Sequence, residues 1–343
     1  MMTDLRQIHL HNGATLAEDG IPLSYPDPAQ EYQYTRHHLL FDRSHEGRIR
    51  LTGKDRLNLL NRISTNDLKN MAINQSKATI FCTATARILF YVSVYHAADH
   101  TLIITQPGQG AAFAAWLQKQ IFYQDDLTIE DITDQTKMFA LHGEWPTELS
   151  PSAPADDYTN LTIAQQTVSL LKAPAILAPY WKFILPASSA VEIYQELLQL
   201  PQLIPSGSIN YNLLRIKAGQ PARAELTQDY NPLELGLWDD ISFTKGCYTG
   251  QEIIARMDSR EKLAKALYHV QLDEMVTIPA TIMQKGGSFG QLTSLSQSPD
   301  GEIFGLAIIK LNTNKELALY VGQQQLKPLA FAGSPPPYIA KDN

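Results

Sequence analysis

The first 47 residues keep no sustained period. They are polar, dotted with prolines and aromatic in patches, which predicts a weakly regular entry segment that docks onto another element. From there the pattern sharpens. Ile49 and Leu51 alternate as in a strand, and Lys54 to Ile63 place Leu57, Leu60 and Ile63 on one helical face. An apolar, β-branched and aromatic run from Ile88 to Tyr95 predicts a strand, Ala98-Asp99-His100 a turn, and Leu102 to Thr105 the returning strand. Phe113, Trp116, Leu117 and Ile121 mark a second helix, and Leu127, Ile129 and Ile132 a further strand. The order β-α-β-β-α-β is the split βαβ arrangement.

Pro146, Pro151 and Pro154 then mark a loop. Strand-like pieces at Val168 to Leu171 and Trp181 to Leu185 alternate with helices near Val191 to Leu198 and Tyr211 to Lys217, an α+β pattern. After Leu263 the segments Leu267 to Leu272, Gly290 to Leu295, Ile303 to Ile309 and Glu316 to Val321 are short, alternating and separated by Gly, Asn, Asp or Ser. They predict a small all-β sandwich or barrel, with an irregular tail at Pro335, Pro336 and Pro337.

A chain of 343 residues with 44% hydrophobic content has enough apolar surface for two or three cores. The net charge of −7 supplies no general attraction for nucleic acid or an anionic membrane, so direct nucleic-acid binding is not expected. No stretch approaches 18 apolar residues, and the N-terminus lacks the pattern of a secretory signal. The two cysteines, Cys82 and Cys247, form neither a disulfide framework nor a CxxC pair. A reducing compartment, the cytoplasm, is the simplest location.

The run from Ile241 to Arg256 is unlike an ordinary loop. Cys247 lies two residues from Lys245, between Gly246 and Gly250, and ahead of a helix-forming series with Gln251 and Glu252 in its first turn. A neighbouring cation and a helix N-terminus both favour a thiolate, making Cys247 a candidate reactive thiol or soft-metal ligand. Equally, a free cysteine is often a small buried hydrophobe, and Lys245 and Arg256 can be solvated. The residues alone leave both readings open. Elsewhere, His37-His38 and His45 lie in the irregular entry segment, where adjacent histidines are usually exposed polar residues rather than ligands, Asp239-Asp240 reads as a cap or turn, and no HExxH, GxSxG or GxxxxGK pattern occurs.

Lys245-Gly246-Cys247-Tyr248-Thr249-Gly250-Gln251-Glu252 matches, at eight positions, the signature of the YgfZ-type folate-binding proteins, relatives of the glycine-cleavage T-protein. The flanks resemble that family too: Asn231 to Leu237, Ile241-Ser242-Phe243, Ile216 with Ala218-Gly219 and Pro221, Leu51 to Leu57, Thr293-Ser294 and Gly305-Leu306-Ala307. The resemblance implies a three-lobed, T-protein-like α+β body around a folate pocket, followed by a C-terminal β-barrel. The expected domains are 1–47 with 137–262 around the folate, 48–136 as the split βαβ (ferredoxin-like) domain, and 263–343 as the barrel.

It also implies tetrahydrofolate as cofactor, iron-sulfur proteins as partners, and a role in maintaining or repairing iron-sulfur enzymes, including those that modify tRNA. On the motif, Cys247 becomes the functional thiol with Lys245 beside it; Tyr248, Gln251, Glu252 and Arg256 become candidate cofactor contacts. Tyr211 stands where relatives place an aromatic residue against the folate, though it can equally be a core residue of its helix.

Two departures matter. Where T-proteins carry a paired-aspartate strand, this chain reads Ala86-Arg87-Ile88-Leu89-Phe90-Tyr91, without the acid expected to assist amine transfer. Where relatives carry a glutamate for the pterin ring, it has Lys217, which could form a salt bridge or meet an anionic tail, as could Arg87. Three functions therefore compete: a folate-binding accessory protein of iron-sulfur enzymes, a folate-dependent aminomethyl or methyl transferase, and a protein-interaction scaffold without folate. Whether the chain is an enzyme stays open at this level. No resident metal is expected.

Overall fold

The computed structural model describes residues 4–33, 38–261, 263–311 and 318–335. In chain order, the N-terminal part holds α1 (Leu5–His11), β1 (Thr15–Leu16), β2 (Pro22–Ser24), α2 (Pro28–Tyr32), β3 (His38–Asp42), β4 (Glu46–Thr52) and α3 (Arg56–Ile63). There follow β5 (Ser76–Cys82), β6 (Ile88–His96), β7 (His100–Pro107), α4 (Gly110–Gln118), β8 (Thr128–Asp131) and β9 (Thr136–His142). Then come β10 (Tyr158–Ile163), β11 (Gln166–Ala173), β12 (Tyr180–Pro186), α5 (Ala190–Leu197), β13 (Leu203–Ser206), α6 (Ser208–Lys217) and α7 (Gln251–Ser259). The C-terminal part is all strand: β14 (Lys265–Leu272), β15 (Ala280–Gln284), β16 (Gly287–Gln297), β17 (Ile303–Lys310), β18 (Leu319–Val321) and β19 (Gln324–Phe331).

The entry segment is more regular than its composition predicts. Asp4 caps α1 by accepting from the Gln7 backbone N–H at 2.8 Å, and Asp27 caps α2 with Pro28 in its first turn. β3 is an interior strand of a six-stranded sheet ordered β10-β11-β12-β9-β3-β13. Leu39, Leu40 and Phe41 are all buried, so that strand carries no alternation to read. A second sheet is ordered β5-β6-β7-β4-β8. Its last four strands follow the split βαβ order; β5 is an additional edge strand that the sequence reading missed. The expected strand at Glu316 to Val321 begins at Leu319, with Glu316 and Leu317 outside the described residues, as are Pro336, Pro337 and His37.

Two compact units emerge. The first comprises residues 1–59, 68–77 and 92–211; the second comprises 60–67, 78–91 and 212–343. In the first, β9 and β12 are buried on both faces. Phe139, Leu141, Phe183 and Leu185 pack with Ile193, Tyr194 and Leu197 of α5, while Met138 and Ile184 pack with Tyr95, Leu102 and Leu171. In the second, β14-β17-β16-β15-β18-β19 close a six-stranded barrel, because β14 pairs with both β17 and β19. Ile303, Ala307 and Ile309 fill its interior, and the intervening Leu306 and Ile308 join a separate core with Ile216, Leu235 and Ile254. A period of two thus distributes one strand between two cores. Among the described residues no helix is long and apolar enough to cross a membrane.

One close approach in the first unit needs glycine. A Cβ on Gly47 would stand 2.4 Å from the Gly110 Cα and 2.5 Å from the Thr105 Oγ1, where β4 meets the start of α4. Gly47→Ala is expected to destabilise by about 1–3 kcal/mol through overpacking. Gly246→Ala, at a glycine with nothing within 4 Å, is expected to leave the thermal midpoint unchanged; scanning calorimetry of both variants checks the contrast.

Candidate functional site

The segment before α7 is pinned at both ends, and each pin is local chemistry. Ser242 donates its N–H to the Thr65 carbonyl at 3.0 Å and receives the Lys245 N–H at 3.2 Å. The Lys245 ammonium donates to the carbonyls of Asn61 (2.5 Å), Ser64 (2.8 Å) and Asn66 (2.7 Å). These oxygens lie in and just beyond the last turn of α3, where carbonyls lack intrahelical partners and the helix dipole favours a cation. Lys245 is therefore a clamp on the end of α3 as well as a neighbour of Cys247. Gly250 adopts φ +87°, and a Cβ there would stand 2.7 Å from the Thr83 carbonyl, so it alone of the motif's two glycines has a backbone reason to be glycine.

Tyr248 is buried in the core with Cys82, Ala86, Ile88 and Ile254, where burial raises its phenol to about 12. Cys247, between Lys245 and Tyr248, is exposed just ahead of α7. The other cysteine differs: Cys82 is buried, and burial pushes its thiol to about 12, which makes it inert. Gln251 reaches the Lys245 carbonyl at 3.5 Å, while Glu252 and Arg256 are exposed along α7. Arg87 donates to the Asp229 carbonyl at 3.0 Å and stands 3.6 Å from the Glu234 carboxylate. Lys217 places its ammonium 4.7 Å from the Phe304 ring. All of these lie in the second unit; Tyr211 lies in the first. There its ring meets Phe41 edge-on with centroids 5.6 Å apart, and the Arg43 guanidinium lies 3.8 Å above it.

One acid was read only as a turn former. Asp240 closes a short 3-10 helix, Trp238–Asp240, but its carboxyl is turned inward and bonded to Tyr91 on β6. Burial raises it to about 6, with Asp239 adding to the rise and Tyr91 opposing it. Tyr91 occupies the run in which T-proteins were expected to carry aspartates, so a carboxyl does stand beside that run, delivered from a different segment. The signal available in sequence was the adjacent pair of acids, Asp239-Asp240, ending five positions before the motif begins at Lys245. Nearby, the buried Trp238 indole N–H has no hydrogen-bond partner among the described residues, and the Trp238 ring stacks with the half-exposed Phe243. Among the described residues no group of three His, Cys, Asp or Glu side chains could hold a metal.

Residues 6–245 match the family model of the GCVT N-terminal domain. The chain belongs to this family. Members similar to it include a chloroplastic protein of Arabidopsis thaliana named as a transferase, 30% identical over 310 residues, covering 87% of this chain and 72% of the relative. An aminomethyltransferase of Shouchella clausii is 24% identical over 353 residues and 95% of each chain. In structure, the GCVT family chain resembles the glycine cleavage system aminomethyltransferase T of Bartonella henselae, with a TM-score of 0.83, 18% identity and coverage of 96% and 97%. The α+β body with its closed C-terminal barrel is the fold of that protein. The family model stops at Lys245, and the structural likeness carries the fold match on through the C-terminal barrel.

The Asp240 carboxyl gives a pH test within this GCVT family member. Its proton is held to about pH 6 in the folded chain but lost near pH 4 when unfolded. The folded state therefore binds more protons across that window, and stability contributed at Asp240 falls as pH rises from about 4 to about 6. Asp240→Asn is expected to be more stable than the wild type above pH 6, with the difference shrinking toward pH 4. Denaturant titrations of both proteins across this range measure it.

Proposed function

We propose that this protein binds tetrahydrofolate and supports the assembly or repair of iron-sulfur enzymes, including tRNA-modifying ones, as a YgfZ-type member of its family acting in the cytoplasm. The observation that carries the reading is the loop from Lys245 to Glu252. A three-carbonyl clamp and a buried tyrosine hold it, and it exposes one thiol between them. Fixing a loop on both sides of an exposed cysteine is what presentation of a thiol to a protein client requires. The residues fit a flat folate: Tyr211 offers an aromatic ring, and in the same unit His45 Nδ1 has no partner among the described residues and the buried Tyr180 hydroxyl has only Tyr211 beside it, so both could bond a ligand.

Calorimetry with tetrahydrofolate tests the binding half. Cys247→Ser is expected to bind tetrahydrofolate as the wild type does, yet to fail to restore iron-sulfur enzyme activities in cells lacking the protein. Full restoration would remove the thiol from the mechanism.

A second reading, a folate-dependent aminomethyl or methyl transferase, is favoured by Asp240. A carboxyl held near pH 6 beside a tyrosine hydroxyl can take or give a proton at an amine, the task assigned to the missing aspartates. The names of the similar proteins point the same way. Turnover of purified protein with tetrahydrofolate and an aminomethyl or N-methyl donor is the check. Under this reading Asp240→Asn lowers the rate roughly 100-fold or more.

A further inference from the structure

Around Glu46 the first unit gathers more positive charge than that one carboxylate carries. Arg43 is 5% exposed and donates its Nε to the Glu46 Oε1 at 2.7 Å. Lys182 donates to the other oxygen of the same carboxylate at 2.5 Å. The two cations hold Glu46 down to about 2, although burial alone would raise it. One carboxylate thus serves two cations. Asp42, the nearest other acid in sequence, is turned to His9 and Ser44. His45 cannot add a charge of either sign, because burial, with Arg43 adding to it, lowers its imidazole to about 4.

Polar groups around the excess cation are also unfilled. Among the described residues the Arg43 guanidinium is bonded through Nε, the buried Tyr180 hydroxyl has only Tyr211 beside it and no well-formed hydrogen bond, and His45 Nδ1 has no partner. Tyr211 backs the group: its ring carries the guanidinium at 3.8 Å and lies 6.2 Å from the Tyr180 ring. A buried guanidinium that shares its carboxylate with a lysine, beside buried polar atoms without well-formed hydrogen bonds, is an arrangement that a bound anion would complete.

We propose that Arg43, Tyr180, His45 and Tyr211 form a subsite for an anionic group of a bound ligand, a carboxylate or a phosphate. The guanidinium, held flat by Tyr211 and steered by Glu46, presents its terminal N–H groups to the anion. Tyr180 donates its hydroxyl, and neutral His45 can donate from Nδ1. The subsite rests on the folate reading only for the identity of the molecule that carries the anion.

The test uses the full chain as wild type, Arg43→Gln and Tyr180→Phe. Thermal midpoints are measured with inorganic phosphate and with acetate against chloride at equal ionic strength, and calorimetry is run with tetrahydrofolate. At least one of the three probes is expected to bind the wild type, with affinity reduced roughly tenfold or more in each variant. Tyr180→Phe separates a binding role from a structural one: removing a poorly bonded buried hydroxyl should not lower the midpoint of the unliganded protein, while it weakens the ligand. A preference for acetate or for phosphate identifies the anion. Binding of no probe, or equal binding by all three proteins, overturns the proposal. Tetrahydrofolate bound equally by all three, with neither small anion bound, overturns the subsite and leaves the folate reading. Arg43-dependent binding of a small anion without tetrahydrofolate binding does the reverse.

Discussion

The Lys245 ammonium, spread over three carbonyls at the end of α3, is the contact on which the placement of the thiol loop depends. A lysine carries three donors and no acceptor, so it can close the unsatisfied end of a helix that has no glycine cap. In doing so it fixes the first residue of the motif to a remote stretch of chain. Tyr248 fixes the fourth by burying its ring in the core. The exposed residues between them, Gly246 and Cys247, are held by neighbours that are not free to move. The motif is thereby a structural fastening and a chemical display in one segment.

The first unit answers a different constraint. Glu46 is a buried carboxylate shared by Arg43 and Lys182, and the positive charge left over is hard to justify by stability alone. The same physics acts in the second unit with opposite sign, where Asp240 is buried against a tyrosine with no cation to hold it ionised. Each unit so contains a buried acid moved far from its ordinary value, Glu46 down between two cations and Asp240 up beside a tyrosine, and such groups concentrate where ligands bind or reactions occur.

Several elements legible in sequence carried a plain helical or alternating period. α5 and α6 show helical spacing, and β14, β16 and β17 alternate as barrel strands must. Among the strands missed, some are of another kind. β3 and β9 are buried on both sides, so their apolar runs carry no period, and β15 and β19 are completed by pairing across the barrel. The entry segment looked irregular because its helices are short and capped by single aspartates.

At the candidate site the division is similar. Sequence by itself determined the family likeness, the α+β plan with its terminal barrel, and the identity of the loop that displays Cys247, because these rest on residue types in fixed local order. Only the tertiary structure decided what the side chains do. It turned Lys245 toward α3, buried Tyr248, laid Lys217 on Phe304 and Arg43 on Tyr211, and joined Asp240 to Tyr91 across 149 positions of chain. The reason is physical. Burial and the partner that a charge finds come from segments far apart in sequence, and these set whether a lysine clamps, a tyrosine packs or an aspartate keeps its proton.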